Sequence, residues 1–91
     1  MTTAVRQLKR STVCVQGLGY VGAAMAICIS AVKTKDGEPF FDVIGLDLPT
    51  TTGQYRVNSI NEGYFPFKTN DDEWKKAAER GRANGNLRAT T

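Results

Sequence analysis

No histidine occurs among the 91 residues, and there are only two cysteines, Cys14 and Cys28. Without histidine the commonest general base is missing. Two cysteines and no histidine make neither a disulfide framework nor a zinc site, so no metal ligand is assigned. Such sparse cysteine usage fits a reducing, cytoplasmic location. No apolar run reaches the roughly 20 residues that span a membrane, and the polar start MTTAVRQLKRS does not read as a signal peptide. Net charge is +3, but the basic residues (Arg6, Lys9 and Arg10 early; Lys75, Lys76, Arg80, Arg82 and Arg88 late) never form a run of five or six. A nucleic-acid partner is therefore not expected. Internal repeats and low-complexity tracts are also missing.

What is present suits a small folded domain. Hydrophobic residues make up 41% and charged residues 23%, which argues against disorder. After a polar lead-in over residues 1–10, Thr12 to Gln16 alternates with β-branched residues and predicts a buried strand. Gly17 to Gly19 is a turn. Tyr20 to about Lys33 predicts a helix with Val21, Ala24, Met25, Cys28 and Ala31 on its inner face. The loop Thr34–Pro39 ends it, and Phe40–Leu46 predicts a second strand closing at Asp47. Pro49–Gly53 reads as a breaker cluster, Gln54–Asn61 as a short helix carrying Val57 and Ile60, and Asn61–Phe67 as a loop. Thr69 or Asn70 can cap a further helix, with Asp72 or Glu73 in capping-box position, and Gly85 can stop it. Asn86–Thr91 predicts a third strand. The order β-α-β-α-α-β implies an α/β fold with a parallel sheet and right-handed crossovers.

Within VCVQGLGYVGAAMAICIS the glycines Gly17, Gly19 and Gly22 fall in the pattern G-x-G-x-x-G. The string follows a predicted strand, opens a predicted helix, and precedes a second strand that ends in an acid, as a dinucleotide site requires. Gly17 permits the tight turn, Gly19 leaves room for a pyrophosphate, and Gly22 lets the helix approach the strand. Tyr20 and Val21 would offer backbone N–H groups at the helix start. Asp47 lies somewhat beyond the usual spacing of about 20 residues, the 33–39 loop taking up the excess. It would accept bonds from the adenosine ribose hydroxyls and repel a 2′-phosphate, favouring NAD over NADP. Two other readings share these glycines: a turn in some other α/β domain, and an FAD site. A Walker loop is excluded, because no Gly-Lys-Ser/Thr follows.

At GLGYVG the sequence resembles the UDP-glucose/GDP-mannose dehydrogenase family of nucleotide-sugar dehydrogenases. The resemblance continues through VIGLD ending at Asp47, then Val57, Ile60, Asn61, Gly63 and Pro66, and finally LRATT, and it covers residues 12–91. It implies a Rossmann-type sheet over 11–91, forming the N-terminal part of an NAD-binding domain. It also implies NAD-dependent oxidation of a nucleotide-sugar C6 alcohol to a carboxylate in two steps, a nucleotide-sugar partner and a homo-oligomer. The Asp47–Asn61 interval is longer than the family's, with PTTTG inserted. The family's catalytic cysteine, lysine and asparagine lie beyond Thr91. Only the cofactor role is carried over, onto Gly17, Gly19, Tyr20, Val21, Gly22 and Asp47. No residue here is assigned a catalytic role, and the chain alone is expected to be inactive. A stand-alone nucleotide-binding or interaction module is the alternative. Cys14 and Cys28 are expected to be buried, Asn61, Gly63 and Pro66 to shape a loop, and Trp74 to anchor the core.

Overall fold

The computed structural model describes residues 10–69 and 71–91. Six elements follow in chain order: β1 (Ser11–Gln16), α1 (Tyr20–Ser30), β2 (Phe41–Leu46), α2 (Thr51–Asn61), α3 (Asp72–Asn84) and β3 (Leu87–Thr90). The strands form one parallel sheet in the order β1-β2-β3, with Val13 beside Val43 and Val43 beside Leu87. This is the α/β architecture expected from the alternating elements, and it corresponds to one half of a doubly wound sheet.

Strand side chains alternate between faces. Val43, Gly45, Leu87 and Ala89 are buried, while Thr12, Cys14, Gln16, Arg88 and Thr90 are exposed. All three helices pack on the buried face, α1 across β1 and β2, α2 on β3, and α3 on α1 and β3. Strand β1 is thus amphipathic rather than fully buried, and Cys14 is exposed, contrary to expectation.

The helix α1 also turns the other way from the prediction. Its buried residues are Ala23, Ala26, Ile27 and Ser30, whereas Val21, Met25 and Cys28 are exposed. From Tyr20 to Ile29 no residue is charged, so apolar spacing marks no unique face. Small residues decide it: Gly22, Ala23 and Ala26 let the helix axis come close to the sheet. α1 ends at Ser30, short of Lys33. The buried Ser30 hydroxyl donates to the Ile27 carbonyl at 2.7 Å.

α2 begins at Thr51, not Gln54. Thr50 caps it by accepting from the Gly53 N–H at 3.0 Å, so the supposed breaker cluster is the helix's own N-terminus. Its other end closes as a Schellman motif: Tyr64 N–H donates to the Ser59 carbonyl and Gly63 N–H to that of Ile60. Gly63 there is left-handed, with φ +86°. α3 is capped by Asp71, which accepts from Glu73 N–H at 2.9 Å, rather than by Thr69, which accepts instead from the Asp71 N–H. Asn70, the other proposed cap, and residues 1–9 of the lead-in lie outside the described residues. Gly85 ends α3 as expected.

Asn61 acts as a short extra rung on the sheet. Its Nδ2 donates to the Ala89 carbonyl at 2.9 Å and its Oδ1 accepts from the Ala89 N–H at 2.8 Å. Asn61→Ala leaves both groups of a buried strand residue unpaired and should destabilise the chain by about 2 kcal/mol. Hydrogen exchange at Ala89 should quicken more than at Val43. Equal protection before and after the change would rule out this pairing.

Candidate functional site

The C-terminal ends of β1 and β2 meet the N-terminus of α1 around the turn Gly17–Gly19. Gly17 has φ +86°, and its N–H donates to the Leu46 carbonyl at 2.7 Å, tying the turn to β2. Leu18 is fully buried, its side chain packed on Gly45. Its N–H donates to Asp47 Oδ2 at 3.0 Å. Gly19 is the N-cap of α1 and provides no side-chain cap, and the first turn holds no acid. The leading N–H groups of a helix have no partner within the helix, so those of Tyr20 and Val21 face the turn without an anionic side chain.

The three glycines of the motif differ in what surrounds them. A Cβ at Gly22 would overlap the Gly17 carbonyl oxygen, whereas a Cβ at Gly17 or Gly19 would meet nothing within 4 Å. Gly22 is therefore a packing requirement between helix and turn, and Gly19 borders open space over the helix start. A cavity of about 270 Å³ lies beside the turn, lined by Gln16, Gly17, Leu46, Asp47 and Leu48. This is the carboxyl end of the strands, where open α/β sheets take their ligands.

Asp47 is the polar centre of that cavity. Oδ1 accepts from the Leu48 N–H at 2.7 Å, Oδ2 from the Leu18 N–H, and Arg56 Nη1 lies 3.5 Å from Oδ2. The Leu48 N–H does most to hold the carboxyl below its ordinary 3.8, and the Leu18 N–H and Arg56 add to it, while burial opposes them. The group is ionised at neutral pH and keeps acceptor capacity on Oδ1. A folded-state value below the unfolded one stabilises the fold above about pH 4, and the contribution fades as pH falls through the folded value. Urea unfolding between pH 5 and 2.5 should show this acid-side loss, and Asp47→Asn should flatten it. An unchanged slope in the variant would remove Asp47 from that role.

Aromatic residues complete the rim. The Tyr20 ring is 47% exposed and meets Phe65 edge-on at 5.3 Å and Phe67 at 5.5 Å. Phe65 stacks on Trp74 at 5.7 Å, so Trp74 packs against the core as expected although it is only partly buried. The structure thus brings Gly17, Gly19, Tyr20, Val21, Gly22 and Asp47 to one end of the sheet. Asn61 and Gly63 are engaged in α2's end, and Pro66 is buried in the loop after it. Three participants escaped the sequence reading. Leu18 and Gly45 form the floor of the turn; the signal for them was a glycine inside an otherwise apolar strand. Arg56 already fell inside the expected helix, but no residue pattern pairs it with Asp47.

Among the described residues no helix is long and apolar enough to cross a membrane. No protein-family model matches the chain. The chain is 36% identical over 75 residues to the GDP-mannose 6-dehydrogenase of Pseudomonas syringae pv. tomato, a match covering 82% of this chain and 14% of that protein. Among solved structures it is similar to a ternary complex of GDP-mannose dehydrogenase from Pseudomonas aeruginosa, with TM-score 0.65 and 34% identity over 87% of this chain and 15% of that one. It is also similar to an NDP-N-acetyl-D-galactosaminuronic acid dehydrogenase from Methanosarcina mazei Go1, with TM-score 0.73 over 94% of this chain and 17% of that one. At 21% identity the latter match speaks for the fold alone. The chain spans about one seventh of the curated relative's length.

Proposed function

From a chain related over most of its length to nucleotide-sugar dehydrogenases, we propose that residues 11–91 are the N-terminal part of an NAD-binding Rossmann domain. The observation that carries this reading is the open space at Gly19, set directly before an uncapped helix N-terminus. A pyrophosphate there receives the Tyr20 and Val21 N–H groups and the positive end of the α1 dipole. Gly17 and Gly22 hold the turn that makes the space, and Asp47 takes the ribose hydroxyls through its remaining acceptor capacity. Bound NAD supplies the hydride acceptor.

The chain's own part is to bind and orient. The turn would hold the pyrophosphate and Asp47 the adenosine ribose. No described residue is assigned a proton-transfer or nucleophilic role. The reaction served is oxidation of the C6 alcohol of a UDP- or GDP-sugar to a carboxylate, carried out in a longer, cytoplasmic, homo-oligomeric enzyme whose substrate site lies outside these residues.

Calorimetric titration of the chain with NAD should show saturable 1:1 binding that FAD does not match. The same chain should not reduce NAD with UDP-glucose, UDP-N-acetylmannosamine or GDP-mannose. Tighter binding of FAD than of NAD would overturn the NAD reading, and turnover above background would overturn the division of labour.

A further inference from the structure

Of the three helices only α1 begins without a side-chain cap. Thr50 caps α2 and Asp71 caps α3, whereas Gly19 offers α1 none. A side-chain cap occupies N–H groups at a helix start, and those groups are what a pyrophosphate needs. The start of α1 is held by contacts that leave them free. Gly22 seats the helix on the turn but has no side chain, and Val21 is 70% exposed. Among the first three residues Tyr20 alone carries a ring with partners. Phe65 meets it edge-on, 5.3 Å between centroids and 86° between planes, and Phe67 meets it at 5.5 Å and 51°. The brace extends outward from there. Phe65 and Phe67 lie 5.8 Å apart, and the buried Phe65 stacks on Trp74 of α3 at 5.7 Å and 16°. Offset and edge-on pairs at these separations are the arrangement aromatic rings prefer. Between the two phenylalanines stands Pro66, buried, whose fixed φ stiffens the segment that carries them.

We propose that Phe65 and Phe67 are positioning residues for the dinucleotide: through the Tyr20 ring they fix the first turn of α1, so that its free N–H groups stay aimed at the pyrophosphate. The proposal rests on the dinucleotide reading above. The brace takes the place of a cap without setting an acceptor where the anion sits. It carries no charge, so the positive end of the α1 dipole is left unneutralised. Through Trp74 it also ties α3, a helix outside the glycine motif, to the affinity of that motif.

Phe67→Leu and Phe67→Tyr in the full chain test this. Leucine keeps an apolar side chain without the ring, and tyrosine keeps the ring. In calorimetric titration with NAD, Phe67→Leu should bind about threefold or more weaker than wild type, and Phe67→Tyr should stay within about twofold of it. Affinity alone does not isolate the brace, because the Arg56 guanidinium beside Asp47 also lies over Phe67, 5.4 Å from the ring centroid. Hydrogen exchange isolates it. The Ala23 N–H makes the first bond of α1, to the Gly19 carbonyl at 2.8 Å, and the Val43 N–H in the central strand is bonded to the Asn86 carbonyl at 2.8 Å. Without NAD, Phe67→Leu should quicken exchange at Ala23 by about tenfold and at Val43 by less than about threefold, and Phe67→Tyr should restore Ala23. Quickening at Ala23 no greater than at Val43 means that Phe67 only stabilises the fold. That result, an NAD affinity unchanged in Phe67→Leu, or a tyrosine variant no better than the leucine one overturns the proposal, while binding of NAD by the wild type leaves the dinucleotide reading intact. If Phe67→Leu loses its far-UV circular dichroism, Phe67→Met takes its place under the same two readouts. A wild-type chain that binds no NAD overturns the dinucleotide reading and the proposal with it.

Discussion

Gly22→Ala should unfold much of the molecule, while Gly19→Ala should leave the fold standing and remove the ligand. The two glycines are three residues apart in one motif, yet their surroundings are opposite. An added Cβ at 22 overlaps the Gly17 carbonyl oxygen and comes within 2.9 Å of the carbonyl carbon. That carbonyl cannot swing aside, because Gly17 N–H is bonded to Leu46 and Leu18 N–H to Asp47. Relief requires α1 to lift from β1, and α1 carries Ala23, Ala26 and Ile27 of the core. The expected loss is about 3 kcal/mol or more, a large share of what a chain this small can possess. Gly19 has φ −63°, which any residue adopts, and its Cβ direction is open. Stability should change by less than about 1 kcal/mol. The new methyl stands where a pyrophosphate oxygen would approach, so NAD affinity should fall by about tenfold or more. Urea unfolding and calorimetric titration on both variants separate the roles. If Gly19→Ala bound NAD as the wild type does, the cradle reading would be lost.

The same asymmetry explains what the residue pattern could reveal. Gly17, Gly19 and Gly22 were legible because their spacing encodes a steric requirement of one strand–turn–helix unit, and no distant residue alters it. The strands were legible because alternation is local. The inward face of α1 was not, because a helix apolar all round offers no phase; only the sheet beneath it, and the small residues that approach it, select the face. Arg56 lies within the expected helix, but its place beside Asp47 depends on how α2 packs at the end of β2, which no local pattern records. The start of α2 was missed because Thr50 caps Gly53 inside a stretch that composition marks as a breaker. The cap of α3 slipped for a related reason: Thr69 and Asp71 are both competent, and Thr69 bonds the Asp71 N–H while Asp71 takes the helix. Local hydrogen-bond competition of this kind has no composition signature.

Leu18 and Gly45 supply the second large effect, and the sharper test of how the turn is built. Leu18 is fully buried, and a Cβ at Gly45 would lie 2.7 Å from Leu18 Cδ2 and 3.1 Å from Cδ1. Leu18→Ala should therefore cost about 3 kcal/mol, from lost burial and from the cavity left behind. The turn cannot collapse into that cavity while Gly17 is bonded to Leu46 and Leu18 to Asp47. Gly45→Ala alone forces the leucine out of place and should cost about 1–2 kcal/mol. In the double variant the methyl at 45 occupies space the leucine has vacated, and alanine loses less backbone freedom than glycine in a strand. The pair should then be more stable than Leu18→Ala alone, with a coupling of at least about 1 kcal/mol. Four urea unfolding curves measure it. Additive losses would mean that the two residues do not share one space, and that the floor under the glycine turn is formed by something else.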